Sequence, residues 1–143
     1  MAEIQRQITL PAELESLPIF REHIKTACQG KVGLDDQSIY DVQLAVDEIC
    51  TNIITHGYAG MDPGSIIVDV EFVPQGLVVT ITDFGHAFEP VEPPTPNANA
   101  SLEEREVGGL GLFFVFNSVD EINYESSPVG NTTRLIKKFI QEK

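Results

Sequence analysis

The apolar residues of the N-terminal part of the chain predict a short strand followed by an amphipathic helix. Residues 3–9 form the strand candidate. Over residues 12–29 the apolar side chains repeat at the spacing of one helical face, and Gly30 and Gly33 follow where that helix is expected to end. The predicted face consists of Leu14, Leu17, Phe20, Ile24 and Ala27.

A second helix is predicted over residues 36–56, because its apolar side chains are spaced alternately by three and four positions. Gly57 or Gly60 is expected to end it. Beyond these glycines, apolar and polar residues alternate over residues 65–73 and again over residues 77–82. This period of two predicts a pair of strands, and the short turn between them, which contains proline and glycine, makes them a hairpin.

The C-terminal part of the chain predicts one more helix and a second hairpin. Residues 109–118 are apolar enough for a buried helix, and residues 121–125 and 131–140 have the pattern of paired strands. We therefore predict an α/β two-layer sandwich, with a mixed, mostly antiparallel sheet and helices on one face. The length of 143 residues and the mass of 15.7 kDa fit a single domain over residues 1–143.

The segment 86–107 differs from these elements. It contains four prolines, a stretch rich in asparagine and alanine, and a run of charged residues. Loops of this length are uncommon inside a compact domain and are usually lids, binding loops or disordered segments.

Composition limits the class of protein. Hydrophobic residues make up 42% of the chain and charged residues 22%, and no apolar run approaches the roughly 20 residues that cross a bilayer. The first residues lack the layout of a signal peptide, so we expect a soluble cytoplasmic protein. Cys28 and Cys50 lie in apolar helical stretches, which favours reduced core residues over a disulfide.

The net charge restricts the partners. With 9 Lys and Arg against 22 Asp and Glu, the formal charge is −13, which opposes nonspecific binding to nucleic acid or anionic lipid. Neutral or basic surfaces are the expected partners. The alternative is that the excess charge only keeps the domain soluble. A phosphate-bearing ligand would need a metal ion or backbone N–H groups to offset this field.

Three polar residues follow the apolar face of the second helix. Glu48, Asn52 and His56 recur every four residues, so their side chains form one stripe. A carboxylate and an amide one turn apart can supply oxygen ligands to a divalent cation, or a base and a metal ligand to one substrate. The alternative is a surface pair on an ordinary helix.

Asp83 is in phase with the apolar residues of its strand, so it is expected to face the helices. An inward carboxylate must find donors, and an adenine amino group, a backbone N–H or a buried water would each serve. Gly85 follows, where the missing side chain allows a sharp turn or a close approach to a ligand.

Glycines also precede the third helix. Gly108, Gly109 and Gly111 leave backbone N–H groups able to face an anion at a helix N-terminus, or they form a flexible hinge. Neither the P-loop nor the dinucleotide-binding glycine pattern fits these positions. Thr132 and Thr133 open the last strand, where β-propensity alone explains such residues.

In their order along the chain, these motifs resemble those of the single-domain serine kinases that act as anti-sigma factors, within the histidine-kinase-like (GHKL) ATPase superfamily. The resemblance covers nearly the whole chain. Its most specific part is residues 45–58, which look like the N-box of the family, with Glu48 and Asn52 at the defining spacing. Residues 83–85 are similar to the first glycine box and residues 108–112 to the second.

The resemblance implies a Bergerat fold with a site for ATP and Mg²⁺. Glu48 would be the general base that takes the proton from a serine or threonine hydroxyl, and Asn52 would coordinate Mg²⁺. Asp83 would accept a hydrogen bond from the adenine amino group, supported by Thr132, and residues 86–107 would be the ATP lid. The positions expected to contact ATP are Asn52, Asp83, Gly85, Ala87, Gly108, Gly109, Leu110, Gly111 and Thr132.

Two positions depart from the family pattern. Ala87 stands where many members have a second glycine, and Asn131 stands where a glycine often precedes the threonines. Neither change removes a metal, base or adenine contact.

The function that the resemblance implies is an ATP-dependent protein serine/threonine kinase that phosphorylates an anti-sigma-factor antagonist and sequesters a sigma factor. The length leaves no space for a phosphoacceptor-histidine helix, so another protein is the expected acceptor. The alternative is a nucleotide-gated binding module without turnover, in which the lid moves. Arg21 is expected either to contact a partner or to lie on a solvated face, and the family's tendency to dimerise makes a homodimer an expectation.

Overall fold

The computed structural model describes residues 6–90 and 109–140, with backbone only at Gly109 and Leu110. Three α-helices and five strands lie within these residues. In chain order they are β1 (Gln7–Pro11), α1 (Leu17–Cys28), α2 (Asp36–Asn52), β2 (Ser65–Val73), β3 (Gly76–Asp83), α3 (Gly109–Ser118), β4 (Glu121–Ser127) and β5 (Gly130–Lys138).

The five strands form one sheet in the order β1-β2-β3-β5-β4. Every pairing among the described strands is antiparallel. Alternate residues of the central strands are buried and join the helices in a single core, so the predicted two-layer α/β sandwich is confirmed. Members of this core include Phe20, Ile24, Val42, Val46, Ile49, Ile66, Val68, Leu77, Val79, Ile81 and Leu135.

The alternation of apolar and polar residues predicted the central strands accurately. The helical spacing predicted the helix boundaries less accurately. The first helix begins at Leu17, after a short 3₁₀ turn over Leu14–Ser16, and not at residue 12. A proline in the first turn of α1 fits this start, because proline lacks the N–H that helix interiors require. The first strand lies at Gln7–Pro11; the predicted residues 3–5 fall outside the described residues.

Two glycines and an aspartate connect α1 to α2. Gly30 and Gly33 have φ angles of 81° and 95°, in the left-handed region that glycine adopts without strain, so the predicted helix end is confirmed. The Asp35 carboxylate then accepts a hydrogen bond of 2.8 Å from the backbone N–H of Ser38 and caps α2. This bond holds the pKa of Asp35 below its ordinary value.

The second helix ends earlier than its apolar spacing predicts. Regular α-helix stops at Asn52, and a π-helical turn over Ile53–Gly57 follows, closed by the Tyr58 N–H and the Ile53 carbonyl at 3.0 Å. Single π turns at helix ends are frequent at functional sites. His56 lies in this turn and not in the regular helix that carries Glu48 and Asn52.

The two cysteines lie in the core. Cys28 and Cys50 are buried and free, as expected for reduced residues. Burial raises the pKa of the Cys28 thiol to about 11.

Candidate active site

Asn52 and Asp83 face one cavity from opposite layers of the sandwich. Asn52 ends α2 and is 8% exposed, and Asp83 ends β3 and is 3% exposed. The inward position predicted for Asp83 is therefore observed. The cavity has a volume of about 10 Å³. Its walls are Ile49, Asn52, Ile53, Asp83, Phe88, Pro90 and Thr133.

The donors that Asp83 requires come from two neighbours. The backbone N–H of Gly85 and the side-chain amide of Asn131 each donate a hydrogen bond of 3.0 Å to its Oδ1 atom. Both of the hydrogen bonds that the described residues make to this carboxylate end on Oδ1. The Oδ2 atom therefore keeps its acceptor capacity for a group in the cavity.

Gly85 holds the turn after β3 against the end of α2. A Cβ atom at this position would overlap the Gly57 carbonyl group, with 2.6 Å to the carbonyl carbon. The next residue, His86, donates its N–H to the same Gly57 oxygen at 2.6 Å. This contact of two backbones by itself requires a glycine here, and it docks the turn after Asp83 on the end of α2.

Phe88 closes the cavity on its outer side. Its ring stacks on His56, with centroids 4.9 Å apart and an interplanar angle of 16°. Its N–H donates to the Tyr124 hydroxyl at 3.0 Å. Small-molecule sites usually measure about 300–1,000 Å³, so this cavity, with Phe88 and Pro90 among its walls, is too small for a nucleotide base in this conformation.

The strand register corrects the expectation for Thr132. This residue pairs with Thr82, whereas Asp83 pairs with Asn131. Neighbouring residues of a strand point to opposite faces of the sheet, so Thr132 lies on the face away from Asp83. Thr133 is the threonine on the cavity side, where it is buried and lines the wall.

Glu48 lies one helical turn before Asn52, in a groove between α2 and α3. The groove has a volume of about 130 Å³ and is lined by Leu44, Ala45, Glu48, Gly111, Phe114, Val115 and Ser118. Burial raises the pKa of Glu48 above its ordinary value, and the negative charge of Asp47 raises it further. A partly desolvated carboxylate of this kind is suited to accept a proton.

Gly111 gives the Glu48 carboxylate its space. A Cβ atom at position 111 would lie 2.6 Å from Glu48 Oε2 and closer still to Oε1. The two residues are far apart in the sequence, but α3 packs on α2 at this point. Gly111 therefore leaves room for the Glu48 carboxylate, which a larger residue at this position would displace.

The remaining residues expected to contact ATP, and the predicted lid, lie in three different places. Gly109 and Leu110 begin α3, where backbone N–H groups lack partners within the helix; Gly108 and residues 91–107 of the predicted lid lie outside the described residues. Ala87 is exposed and is not among the residues that line the cavity.

Comparison with known proteins agrees with this arrangement. Residues 10–137 match the family described as the histidine kinase-like ATPase domain. The chain belongs to this family. The serine-protein kinase RsbW of Listeria monocytogenes serotype 4a is 29% identical over 150 aligned residues, which cover 100% of this chain and 93% of that protein. The anti-sigma F factor of Clostridium novyi is 28% identical over 105 residues, 73% of each chain.

A solved structure shares the fold of this histidine kinase-like ATPase domain. The crystal structure of the RsbU and RsbW domains of a Mycobacterium tuberculosis protein superposes with a TM-score of 0.65 at 17% identity. The match covers 94% of this chain and 33% of that one, so the chain spans about a third of that protein.

Arg21 of this ATPase domain forms an ion pair on the helical layer. Its guanidinium group lies 3.1 Å from the Asp47 carboxylate, and the two side chains are 43% and 26% exposed. The Gln43 side chain also donates to the Arg21 carbonyl at 2.9 Å. Arg21 thus has a partner within the chain and still presents part of its charge to solvent.

Sequence reasoning missed the contribution of Asn131 to the site of this ATPase domain. It was noted only as a departure from a glycine, yet its amide binds Asp83 directly. Phe88 and Tyr124 were also missed. The pairing of Asp83 with Asn131 across β3 and β5 is the signal that identifies Asn131, and it depends on a register that a single sequence does not give.

Residues 6–90 and 109–140 contain no cluster of three or more His, Cys, Asp or Glu side chains able to hold a metal ion. In the same part of the chain, no helix is both long and apolar enough to span a membrane.

Proposed function

We propose that this histidine kinase-like ATPase domain is an ATP- and Mg²⁺-dependent protein serine/threonine kinase and anti-sigma factor. It phosphorylates a seryl or threonyl hydroxyl of an antagonist protein and, in its other state, sequesters a sigma factor. The observation that carries this proposal is the position of Glu48, a partly buried carboxylate one helical turn from Asn52. The relatives named serine-protein kinase RsbW and anti-sigma F factor support it.

The cavity between the two layers receives the nucleotide. Asp83 accepts a hydrogen bond from the adenine amino group through Oδ2, because the described residues donate only to Oδ1. The first residues of α3 offer backbone N–H groups and the positive end of the helix dipole to the phosphates. These donors are what an anionic ligand needs in a chain of formal charge −13.

The donor set fits a magnesium ion that arrives with the nucleotide. Asn52 lines the cavity and has a single amide oxygen to offer, and the described residues hold no group of three or more His, Cys, Asp or Glu side chains able to bind a metal ion by themselves. Mg²⁺ commonly binds through one or two protein oxygens together with substrate phosphates. Asn52 would hold the ion, which neutralises phosphate charge when bound.

Glu48 acts on the acceptor hydroxyl. As the hydroxyl oxygen bonds to the γ-phosphorus, the bond from that phosphorus to the β–γ bridging oxygen breaks and ADP leaves with the electron pair. The hydroxyl proton passes to the Glu48 carboxylate, whose pKa burial raises toward the range useful for a base. Phosphoryl transfer otherwise requires mainly positioning and charge stabilisation.

Substitution Glu48→Gln tests this role. It removes the proton acceptor but keeps the shape, so transfer of labelled γ-phosphate to the antagonist protein is expected to be abolished while ATP affinity changes by no more than a few-fold. Asp41→Asn, on the same helix and paired with Lys137 at 3.5 Å, is the matched control and should transfer phosphate normally. An unchanged rate in Glu48→Gln would refute the assignment of the base.

The acidic balance of the chain fits the proposed partners. A formal charge of −13 favours a basic protein surface, such as one on a sigma factor, over direct contact with nucleic acid. We place the kinase in the cytoplasm, where a sigma factor acts, and we assign Arg21 to the partner surface because it remains 43% exposed beside Asp47.

A second candidate is a binding module gated by nucleotide without turnover. The observation that favours it is the stacking of Phe88 on His56 over a cavity of about 10 Å³. Entry of a nucleotide has to move this segment, which links ligand binding to a change of surface. Purified protein that binds ATP but labels no partner would favour the module over the kinase.

A further inference from the structure

We propose that Asn131 is a positioning residue for recognition of the adenine base. Its side-chain amide fixes the Asp83 carboxylate and the turn after β3 as one unit, so that Oδ2 is presented to the cavity. This inference rests on the proposed function, in which Asp83 accepts a hydrogen bond from the adenine amino group.

The amide of Asn131 contacts three acceptors around the end of β3. Its Nδ2 atom donates to Asp83 Oδ1 at 3.0 Å and to the Gly85 carbonyl at 2.9 Å, and it approaches the His86 carbonyl at 3.5 Å. Asn131 is 3% exposed, so these bonds are shielded from water. A single amide thus connects the carboxylate to the backbone that follows it.

The orientation of this amide is determined by the acceptors that face it, the Asp83 carboxylate and the Gly85 carbonyl. The Ser126 hydroxyl donates a hydrogen bond of 2.7 Å to Asn131 Oδ1 from the paired strand β4. If the amide were reversed, its oxygen would face the Asp83 carboxylate and the Gly85 carbonyl, both of which are acceptors. The hydrogen-bond network therefore allows one orientation, with Nδ2 toward Asp83.

The consequence for Asp83 is a fixed division between its two oxygens. Gly85 and Asn131 both donate to Oδ1. Rotation of this carboxylate away from its position would break both hydrogen bonds to Oδ1. In a buried site, unmade hydrogen bonds are costly. With Oδ1 held by these two bonds, Oδ2 is the oxygen of Asp83 left for a ligand in the cavity, and a carboxylate fixed in advance lowers the ordering cost of binding.

A purely structural role for Asn131 would affect all nucleotides equally. ATP and inosine triphosphate separate the two roles, because they differ in the exocyclic group of the base and share the ribose and phosphates. If Asn131 acts through Asp83, its loss weakens ATP binding and leaves inosine triphosphate binding nearly unchanged. If it serves only the fold, both affinities fall together.

The experiment is calorimetric titration of the full chain with each nucleotide in the presence of Mg²⁺. Asn131→Ala is expected to reduce the preference for ATP over inosine triphosphate by about tenfold, the effect of one buried hydrogen bond to a charged group. Asn131→Thr, whose hydroxyl can donate one bond, should keep an intermediate preference. Thr82→Ala, next to Asp83 but on the opposite face of β3, is the matched control and should behave as the wild type.

Coupling to Asp83 gives the second readout. In an Asp83→Ala background the preference for ATP should be absent, and adding Asn131→Ala should change it no further. If Asn131→Ala does not fold, Asn131→Thr carries the test, since threonine is well suited to a strand.

The outcomes separate this inference from the proposed function. A wild-type preference for ATP in Asn131→Ala and Asn131→Thr, or an equal loss of both nucleotides, overturns the positioning role while the kinase proposal stands. A wild-type chain that binds neither nucleotide overturns both.

Discussion

The contact between Gly111 and Glu48 allows catalysis to be separated from stability with a single methyl group. In Gly111→Ala, the new Cβ atom would lie 2.6 Å from Glu48 Oε2, well inside the ordinary contact distance of 3.4 Å or more. The overlap falls on the end of a flexible side chain, so we expect the carboxylate to swing away by about 1 Å while the backbone of α3 stays in place.

The expected effects on rate and stability have opposite signs. A misplacement of about 1 Å at a reacting group can reduce the rate by roughly 100-fold, which corresponds to about 2.7 kcal/mol of transition-state stabilisation. Alanine in place of glycine favours a helix by up to about 1 kcal/mol. The variant should therefore be as stable as the wild type or slightly more stable, yet slow in phosphate transfer.

The assay is single-turnover transfer of γ-labelled phosphate from ATP to the antagonist protein, with scanning calorimetry for stability. ATP affinity should stay within a few-fold, because alanine keeps the backbone N–H of residue 111. Ser118→Ala, in the same groove and on the same helix, is the control and should transfer phosphate normally. Gly111→Ala with a wild-type transfer rate would refute the positioning of Glu48 by α3, as would loss of folding in that variant.

Three further predictions concern stability and partners. Burial raises the pKa of Glu48 above the ordinary 4.5, so the folded state binds the proton more tightly than the unfolded state. The contribution of this group to the free energy of unfolding therefore falls as the pH rises from about 4.5 through the folded pKa. Glu48→Gln should therefore melt at a higher temperature than the wild type at pH 7.5, with the difference shrinking toward pH 4; a constant difference would contradict the raised pKa. Gly85→Ala should destabilise the fold by about 1–3 kcal/mol in urea unfolding, because its Cβ meets a carbonyl group of the backbone, whereas Gly57→Ala, whose nearest neighbour is 3.6 Å away, should be close to neutral. Equal effects of these two glycine variants would argue against the backbone contact. Arg21→Ala should change the free energy of unfolding by less than about 1 kcal/mol, since the ion pair with Asp47 is partly exposed, but should weaken binding of the sigma factor or the antagonist in a pull-down with purified proteins; unaltered binding of both would remove Arg21 from the partner surface.

The parts of the fold that were predictable are those in which one face alone is buried. In α2 the spacing of apolar residues by three and four follows directly from the helical period, and in β2 the alternation of Ile66 and Val68 with polar neighbours follows from the pleat. These patterns exist because the sandwich buries one side of each element. They carry the information needed to place Asn52 and Asp83 toward one cavity between the layers, whereas Glu48 lies in a separate groove between α2 and α3.

The parts that were not predictable depend on pairing between distant segments. After Gly130, the last strand continues with Asn131, Thr132 and Thr133, three polar residues in succession whose own pattern does not indicate which of them points inward. Only the register with β3 decides this, and a shift of one residue exchanges the two faces. That is why the supporting role expected for Thr132 was wrong.

The π turn after Asn52 was hidden for a related reason. Its apolar residues continue the helical pattern of α2, so periodicity predicts an unbroken helix to residue 56. The turn ends at Gly57, whose carbonyl group contacts Gly85 and His86 from the segment after β3. The spacing of apolar residues along one helix does not predict a contact with a distant segment.

The central claim, that ATP binds between Asn52 and Asp83, is tested most directly by calorimetric titration of ATP with Mg²⁺ into the wild type and Asp83→Asn. We predict one ATP bound per wild-type chain and an affinity lower by about 1–3 kcal/mol, or roughly 5- to 150-fold, in the variant, because a buried polar pair is disturbed. No heat of binding with the wild type, or equal affinity in the two proteins, would contradict the claim.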